Sequence, residues 1–184
     1  MAAGKKNAVR RRAVIAFVDE SGLLLAPLAR RTWAPRGDTP VLSQRGRHTE
    51  KISIIGSVTC SATGRSNKFV FRLHRDQNIT KLHVRRFLAQ LRAHFPDHRH
   101  IIILWDRLNS HRSASVVDYA RRHNMTIEFF PSYSQELNPA EYAWGYLKMN
   151  PLANYAPHST GELAGKSRRA GRQLQRGILA FESH

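Results

Sequence analysis

The sequence is poor in acids, in cysteine and in long apolar runs, and each shortage closes off a class of protein. Cys60 is the single cysteine, so neither an internal disulfide nor a cysteine-built zinc site is available. No apolar stretch approaches the roughly 20 residues needed to span a bilayer, and the charged N-terminus is followed by no apolar segment of the kind that directs secretion. A cytoplasmic protein with no membrane association is the default expectation. Ten histidines are scattered without zinc-ligand spacing. There is no internal repeat and no low-complexity tract.

The shortage of acids is the most telling. Thirteen Asp and Glu face thirty Lys and Arg, giving a formal charge of +17 and a pI near 11.3. Such an excess points to a polyanionic partner, and nucleic acid is the usual one. Phosphate attraction carries no chemical information of its own, so a merely basic protein would share it. Against this background a carboxylate beside an apolar strand needs a reason: it pairs with arginine or it holds a metal. At 184 residues and 41% hydrophobic content, the chain is long enough to bury one sizeable core.

Residues 1–12 carry Lys5, Lys6, Arg10, Arg11 and Arg12 without an acid and read as a basic N-terminal arm. The run 13–18 (AVIAFV) reads as a buried strand ending at Asp19, with a turn at Ser21-Gly22 and a return strand from Leu23 to Leu25. Residues 30–40 form a basic loop punctuated by Pro and Gly. Strands are expected at 51–60 and 67–73, with a turn at Thr63-Gly64. The period then changes. Residues 79–94 predict a helix with Ile79, Leu82, Phe87, Leu88 and Leu91 inward. A strand at 100–105 ends at Asp106, and 113–123 predict a helix with Val116, Val117 and Ala120 inward. Residues 125–130 give a strand stopped by Pro131, and a helix runs from Pro139 to about Lys148 until Asn150-Pro151 breaks it. From 159 onward an Arg-rich helix carries a weak stripe of Leu163, Leu174 and Ile178. The expected division is a 1–12 arm, a 13–150 main domain and a 151–184 basic helical tail. The expected fold class is α/β: an antiparallel meander plus parallel strands in one mixed sheet, flanked by helices.

Two buried strands, each followed by an aspartate, suggest a site. If they run parallel and adjacent, Asp19 and Asp106 meet at one carboxyl edge, where open α/β sheets bind ligands. Two close like charges call for a cation between them, and oxygen ligands favour Mg²⁺ or Mn²⁺. Each aspartate alone reads equally well as a turn starter. Glu20 alternates to the opposite face from Asp19, so one of the two joins the site. Glu141 follows Asn138-Pro139 at capping-box spacing, so its local chemistry fits a helix cap as well as a ligand. His111 lies five after Asp106 and suits either a phosphate contact or a cap. Trp33, Trp105 and Trp144 read as core or interface anchors.

FVDESG at 17–22, RRTWAPRGDTPVL at 30–42, WDRLNSHRS at 105–113 and YSQELNPAEYAWGYLK at 133–148 resemble the bacterial insertion-sequence DDE transposases of the mariner superfamily. Thirty-four residues separate Asp106 from Glu141, the spacing of that group. The resemblance implies a ribonuclease H-like fold. It also implies a catalytic and metal-binding triad of Asp19, Asp106 and Glu141 that holds two Mg²⁺ or Mn²⁺ ions. DNA ends and target DNA would be the substrates, with phosphate contacts from Arg30, Arg31, Arg36, His111 and Lys148. Gln135 departs from the family's usual proline. Residues before 13 hold no helix-turn-helix region, so the resemblance implies a split or truncated form. Such a form would work as a homodimer on the nucleoid with a separate helix-turn-helix end-binding polypeptide. Two other readings stay open: a catalytically idle DNA-binding remnant, and a ribonuclease H-like nuclease that joins no strands.

Overall fold

A computed structural model describes residues 13–26, 28–42, 50–61, 67–97, 100–106, 113–131 and 137–181. The arm 1–12, the Thr63-Gly64 turn, Gln135 and His111 lie outside them. Five strands form one sheet in the order β3-β2-β1-β4-β5. They are β1 (Val14–Leu24), β2 (Lys51–Ser61), β3 (Lys68–Arg75), β4 (Ile101–Trp105) and β5 (Met125–Phe129). The described helices are α1 (Lys81–Ala93), α2 (Ala114–Arg122), α3 (Ala140–Met149) and α4 (Thr160–Phe181). β1–β2 and β2–β3 pair antiparallel, whereas β1–β4 and β4–β5 pair parallel.

Helices cover both faces of the sheet, which is why β2 is buried along almost its whole length instead of alternating. One face carries Val14, Ala16, Val18, Ile55 and Val70 against α1 and α2. The other carries Leu23, Ile52, Ile54 and Phe69 against α3 and α4. The segment set apart from sequence as a basic tail contributes Leu152, Leu163, Ala164 and Ala170 to this second cluster.

Three expectations change. β1 does not turn at Ser21-Gly22: Ser21 pairs with Ile54 and Gly22 with Ser53, and the strand runs on to Leu24. The small residues are tolerated because an equally long β2 supplies main-chain partners throughout. Val117 is 45% exposed and Leu82 48% exposed. The faces that pack are Val116 with Ala120 on α2, and Val84, Phe87, Leu88 and Leu91 on α1, the i, i+3, i+4, i+7 stripe of a helix on a sheet. Trp33 is fully exposed, while Trp105 and Trp144 are buried.

The edge strand β3 is guarded from both sides. Gln175 Nε2 on α4 donates to the Phe69 carbonyl at 2.7 Å, and Gln90 Nε2 on α1 donates to the Phe71 carbonyl at 3.2 Å. Both acceptors would otherwise be open to another strand. α4 lies close to β3 because Gly171 faces the Phe71 ring. A Cβ there would meet ring carbons at 2.4–2.9 Å, and Phe71 is stacked on Phe69 with centroids 5.5 Å apart. Gly145 on α3 has nothing within 4 Å of its would-be Cβ. A helical Gly→Ala change ordinarily stabilises by up to about 1 kcal/mol. Gly145→Ala should do so, whereas Gly171→Ala should destabilise by about 1–3 kcal/mol through overpacking. Urea unfolding of the two variants measures the contrast, and equal gains would refute the close α4–β3 contact.

Candidate active site

The parallel ladder between β1 and β4 ends at the pair Phe17 and Leu104. Two residues beyond that pair in each chain segment stand Asp19 and Asp106, which the parallel register brings to the same end of the sheet. β4 stops at Trp105, so Asp106 does end its strand as the sequence suggests. Asp19 does not, because β2 holds β1 in the sheet beyond it, opposite Gly56. The two aspartates meet where one strand leaves the sheet and its neighbour continues.

Glu141 arrives from α3. Asn138, 4% exposed, starts this helix: its Oδ1 accepts the Ala140 main-chain N–H at 3.1 Å, and its carbonyl accepts the Glu141 N–H at 3.1 Å. Its Nδ2 donates to the Val18 carbonyl at 3.2 Å, tying the helix start to β1 one residue before Asp19. Among the described residues no hydrogen bond returns the Glu141 carboxylate to the Asn138 main chain. The capping role is filled by Asn138, and the glutamate side chain is left exposed beside the site. Glu141, Trp144 and Lys148 follow i, i+3, i+7 spacing and so share a helix face. Trp144 Nε1 donates to Asp19 Oδ2 at 2.8 Å, and Lys148 Nζ donates to Ser21 Oγ at 2.7 Å. With Asn138 they make three rivets along β1.

Burial pushes the Asp19 carboxyl up to about 6. The Trp144 hydrogen bond and the Glu20 main-chain N–H oppose this, while the charges of Glu141 and Asp106 add to it. Asp19 therefore senses both other carboxylates. Among the described residues no three His, Cys, Asp or Glu side chains stand close enough together to hold a metal ion, so Asp19, Asp106 and Glu141 share one end of the sheet without forming a ready-made ligand set. The donor set nonetheless suits a divalent ion. It is all oxygen, it is partly buried, and its mutual repulsion would be relieved by positive charge.

The remaining expected contacts are dispersed. Arg30, Arg31 and Arg36 lie exposed on the 28–42 segment, whose base is fixed by the Arg30 N–H to Asn154 Oδ1 bond at 2.7 Å. Lys148 is half-buried at the site. Sequence reasoning missed Gly56 and the polar use of Trp144. Their only signal was a glycine inside an apolar strand run, which marks close approach by another group.

A mixed five-stranded sheet whose central strand is parallel on one side and antiparallel on the other, with carboxylates gathered at its split edge, places the protein in the ribonuclease H-like class. Residues 14–163 match the DDE superfamily endonuclease family, and the chain belongs to it. Comparison with curated proteins returns no match. Among solved structures it resembles a pre-cleavage Mos1 transpososome, with TM-score 0.62 and 16% identity over 100% of this chain and 60% of that one. The Mos1 transposase catalytic domain with Raltegravir and Mg gives TM-score 0.56 and 15% identity over 98% and 90%. A simian T-cell lymphotropic virus intasome bound to the PP2A regulatory subunit B56 gamma gives 0.55 and 12% over 88% and 47%. At these identities the likeness is one of fold. The chain spans about 60% of the length of the Mos1 chain in the transpososome.

Because the folded state favours protonated Asp19, this group stabilises the metal-free fold most below its ordinary value of 3.8, and the contribution is lost as pH rises through about 6. Asp19→Asn keeps an acceptor for Trp144 and removes the charge. In EDTA it should exceed the parent in stability by about 1–3 kcal/mol at pH 8, with the advantage vanishing near pH 4. Thermal unfolding across this range is the measurement, and a pH-independent difference would sink the crowding of carboxylates described here.

Proposed function

We propose that this chain is the catalytic domain of a mariner-type DNA transposase, in which Asp19, Asp106 and Glu141 hold two Mg²⁺ or Mn²⁺ ions for DNA cleavage and strand transfer. The observation that carries the reading is the β1–β4 register, which brings Asp19 and Asp106 to one sheet edge, with α3, the helix of Glu141, fastened to β1 at that edge by Asn138 and Trp144. Membership of a DDE endonuclease family supports it, as do fold relatives that include Mos1 paired-end complexes with Mn and with Mg.

In this reading the three carboxylates bind the ions through oxygen, and Asn138 and Lys148 keep α3 in register so that Glu141 faces the aspartates. Bound ions would supply charge neutralisation and activation of the attacking oxygen across a phosphodiester. The first attack, by water, frees a 3′-hydroxyl at an element end, and that hydroxyl then attacks target DNA. A homodimer and a separate end-binding polypeptide belong to the same proposal. Glu141→Gln should lower Mg²⁺-dependent cleavage of end-containing DNA about a hundredfold to a thousandfold, the scale set by removing one charge-stabilising group. Parent-like cleavage by the variant would overturn the triad. Cleavage without joined products would favour the nuclease reading.

DNA holding has a second support. A groove of about 750 Å³ beside β3 is lined by Lys68, Phe69, His94, Arg172, Gln175 and Arg176, with no acid among them. Burial and the neighbouring Lys68 hold His94 below the usual imidazole range. Arg172 and Arg176 are exposed one helical turn apart on α4. Replacing both with Ala should reduce the slope of log affinity against log salt for duplex DNA by about 2. Arg121 and Arg122 are committed to Asp118 on α2, and their double Ala variant is the charge-matched control, expected to leave the slope unchanged. Equal effects from the two pairs would reduce the groove to bulk charge.

A further inference from the structure

Trp144 is 2% exposed, and a buried indole serves most simply as core. Its surroundings argue for more. The Nε1–H donates to Asp19 Oδ2 at 2.8 Å. The ring lies over Gly56, the residue paired with Asp19 across β1 and β2. A Cβ on Gly56 would meet Trp144 Cη2 at 2.6 Å and Cζ2 at 3.3 Å. Phe69 supports the indole edge-on, with centroids 5.8 Å apart at 68°. Glycine thus clears the space, phenylalanine fixes the plane, and the ring's one polar atom is aimed at Asp19.

The type of donor matters. An indole N–H is neutral, donates only and does not titrate. It holds one carboxylate oxygen without cancelling the negative charge. A Lys or Arg in its place would form an ion pair with Asp19 and compete with any cation. A carboxylate offers about four acceptor directions, so one hydrogen bond leaves capacity for a metal. Trp144 also sits one turn after Glu141 on α3, so the same bond fixes the rotation of the helix that carries the second carboxylate.

Resting on the proposed metal-binding role of Asp19 and Glu141, we propose that Trp144 is a positioning residue. Its indole N–H, seated over Gly56, sets the orientation of Asp19 and its relation to Glu141 for divalent-cation binding.

Partners that orient a metal-binding side chain commonly change affinity by about 10- to 100-fold when removed. Trp144→Phe keeps an aromatic ring and removes the donor, together with three ring atoms of the bicycle. In the full chain, below its unfolding temperature, it should weaken Mn²⁺ binding, measured by titration with electron paramagnetic resonance of the free ion, by about 10-fold or more, while the melting temperature without metal reports the separate packing cost of the smaller ring. Gly56→Ala, which displaces the ring, should weaken Mn²⁺ in the same direction. In the parent, the Trp144 indole ¹H–¹⁵N signal, assigned by its loss in Trp144→Phe, should shift with Mg²⁺ and broaden with Mn²⁺. A merely structural tryptophan far from the ion would do neither. Parent-like Mn²⁺ affinity in Trp144→Phe, or an indole signal indifferent to both ions, overturns the proposal. Asp19→Asn separates the two levels. If it loses Mn²⁺ while Trp144→Phe retains it, the positioning role alone fails. If Asp19→Asn binds Mn²⁺ as the parent does, the metal-site reading and the positioning role fall together.

Discussion

The register of β1 is the constraint on which the rest of the molecule depends. This strand is paired antiparallel to β2 along its full length and parallel to β4 over its first part only. Where β4 leaves, Asp19 and Asp106 each follow the last paired residues, Phe17 and Leu104, by two positions. A slip of one residue would turn Asp19 toward α1 and α2 and bring Glu20 to the site face, because side chains alternate along a strand. The apolar residues Val14, Ala16 and Val18 prevent that slip. They are fully buried on the opposite face, and moving them would expose three side chains at roughly 1.5–3 kcal/mol for each larger one.

The gathering of carboxylates works against folding, and the surroundings hold it in place. Burial and two neighbouring negative charges make ionised Asp19 unfavourable. Two neutral donors, the Trp144 indole and the Glu20 main chain, partly offset that. The chain thus keeps negative charge concentrated within a strongly positive protein, and among the described residues Asp19 takes its side-chain hydrogen bond from a neutral indole. Groups poised this way are the kind whose perturbed ionisation marks functional sites. Away from the site, arginines stand exposed on the α4 groove and on the 28–42 segment. Positive charge thus lies on the surfaces and negative charge at the sheet edge.

Much of the fold was legible because its signals are local. The apolar runs at 13–18 and 100–105, the alternation around 67–73 and the Asn138-Pro139 helix start each report their element through nearest neighbours. The errors came where partners decide. Ser21-Gly22 looks like a turn until β2 supplies hydrogen bonds on both sides of it. Val117 looks inward until α2 is rotated so that Val116 and Ala120 face the sheet. Trp33 reads as a core or interface anchor, and its full exposure removes the core alternative.

The sequence by itself determined the basic charge, the mixed sheet and the candidacy of Asp19 and Asp106, since strand endings and charge balance are properties of short segments. It also determined, through its motifs, which family the chain resembles. It could not decide between cap and ligand for Glu141, because both roles ask for the same residue three positions after Asn138. Tertiary structure supplies the cap from another residue: Asn138 caps the helix with its own side chain and fastens it to Val18, and Glu141 stands exposed at the start of α3. Only the fold could bring Gly56 and Trp144 together, because their contact spans 88 residues of chain and depends on helix and strand meeting at one rotation.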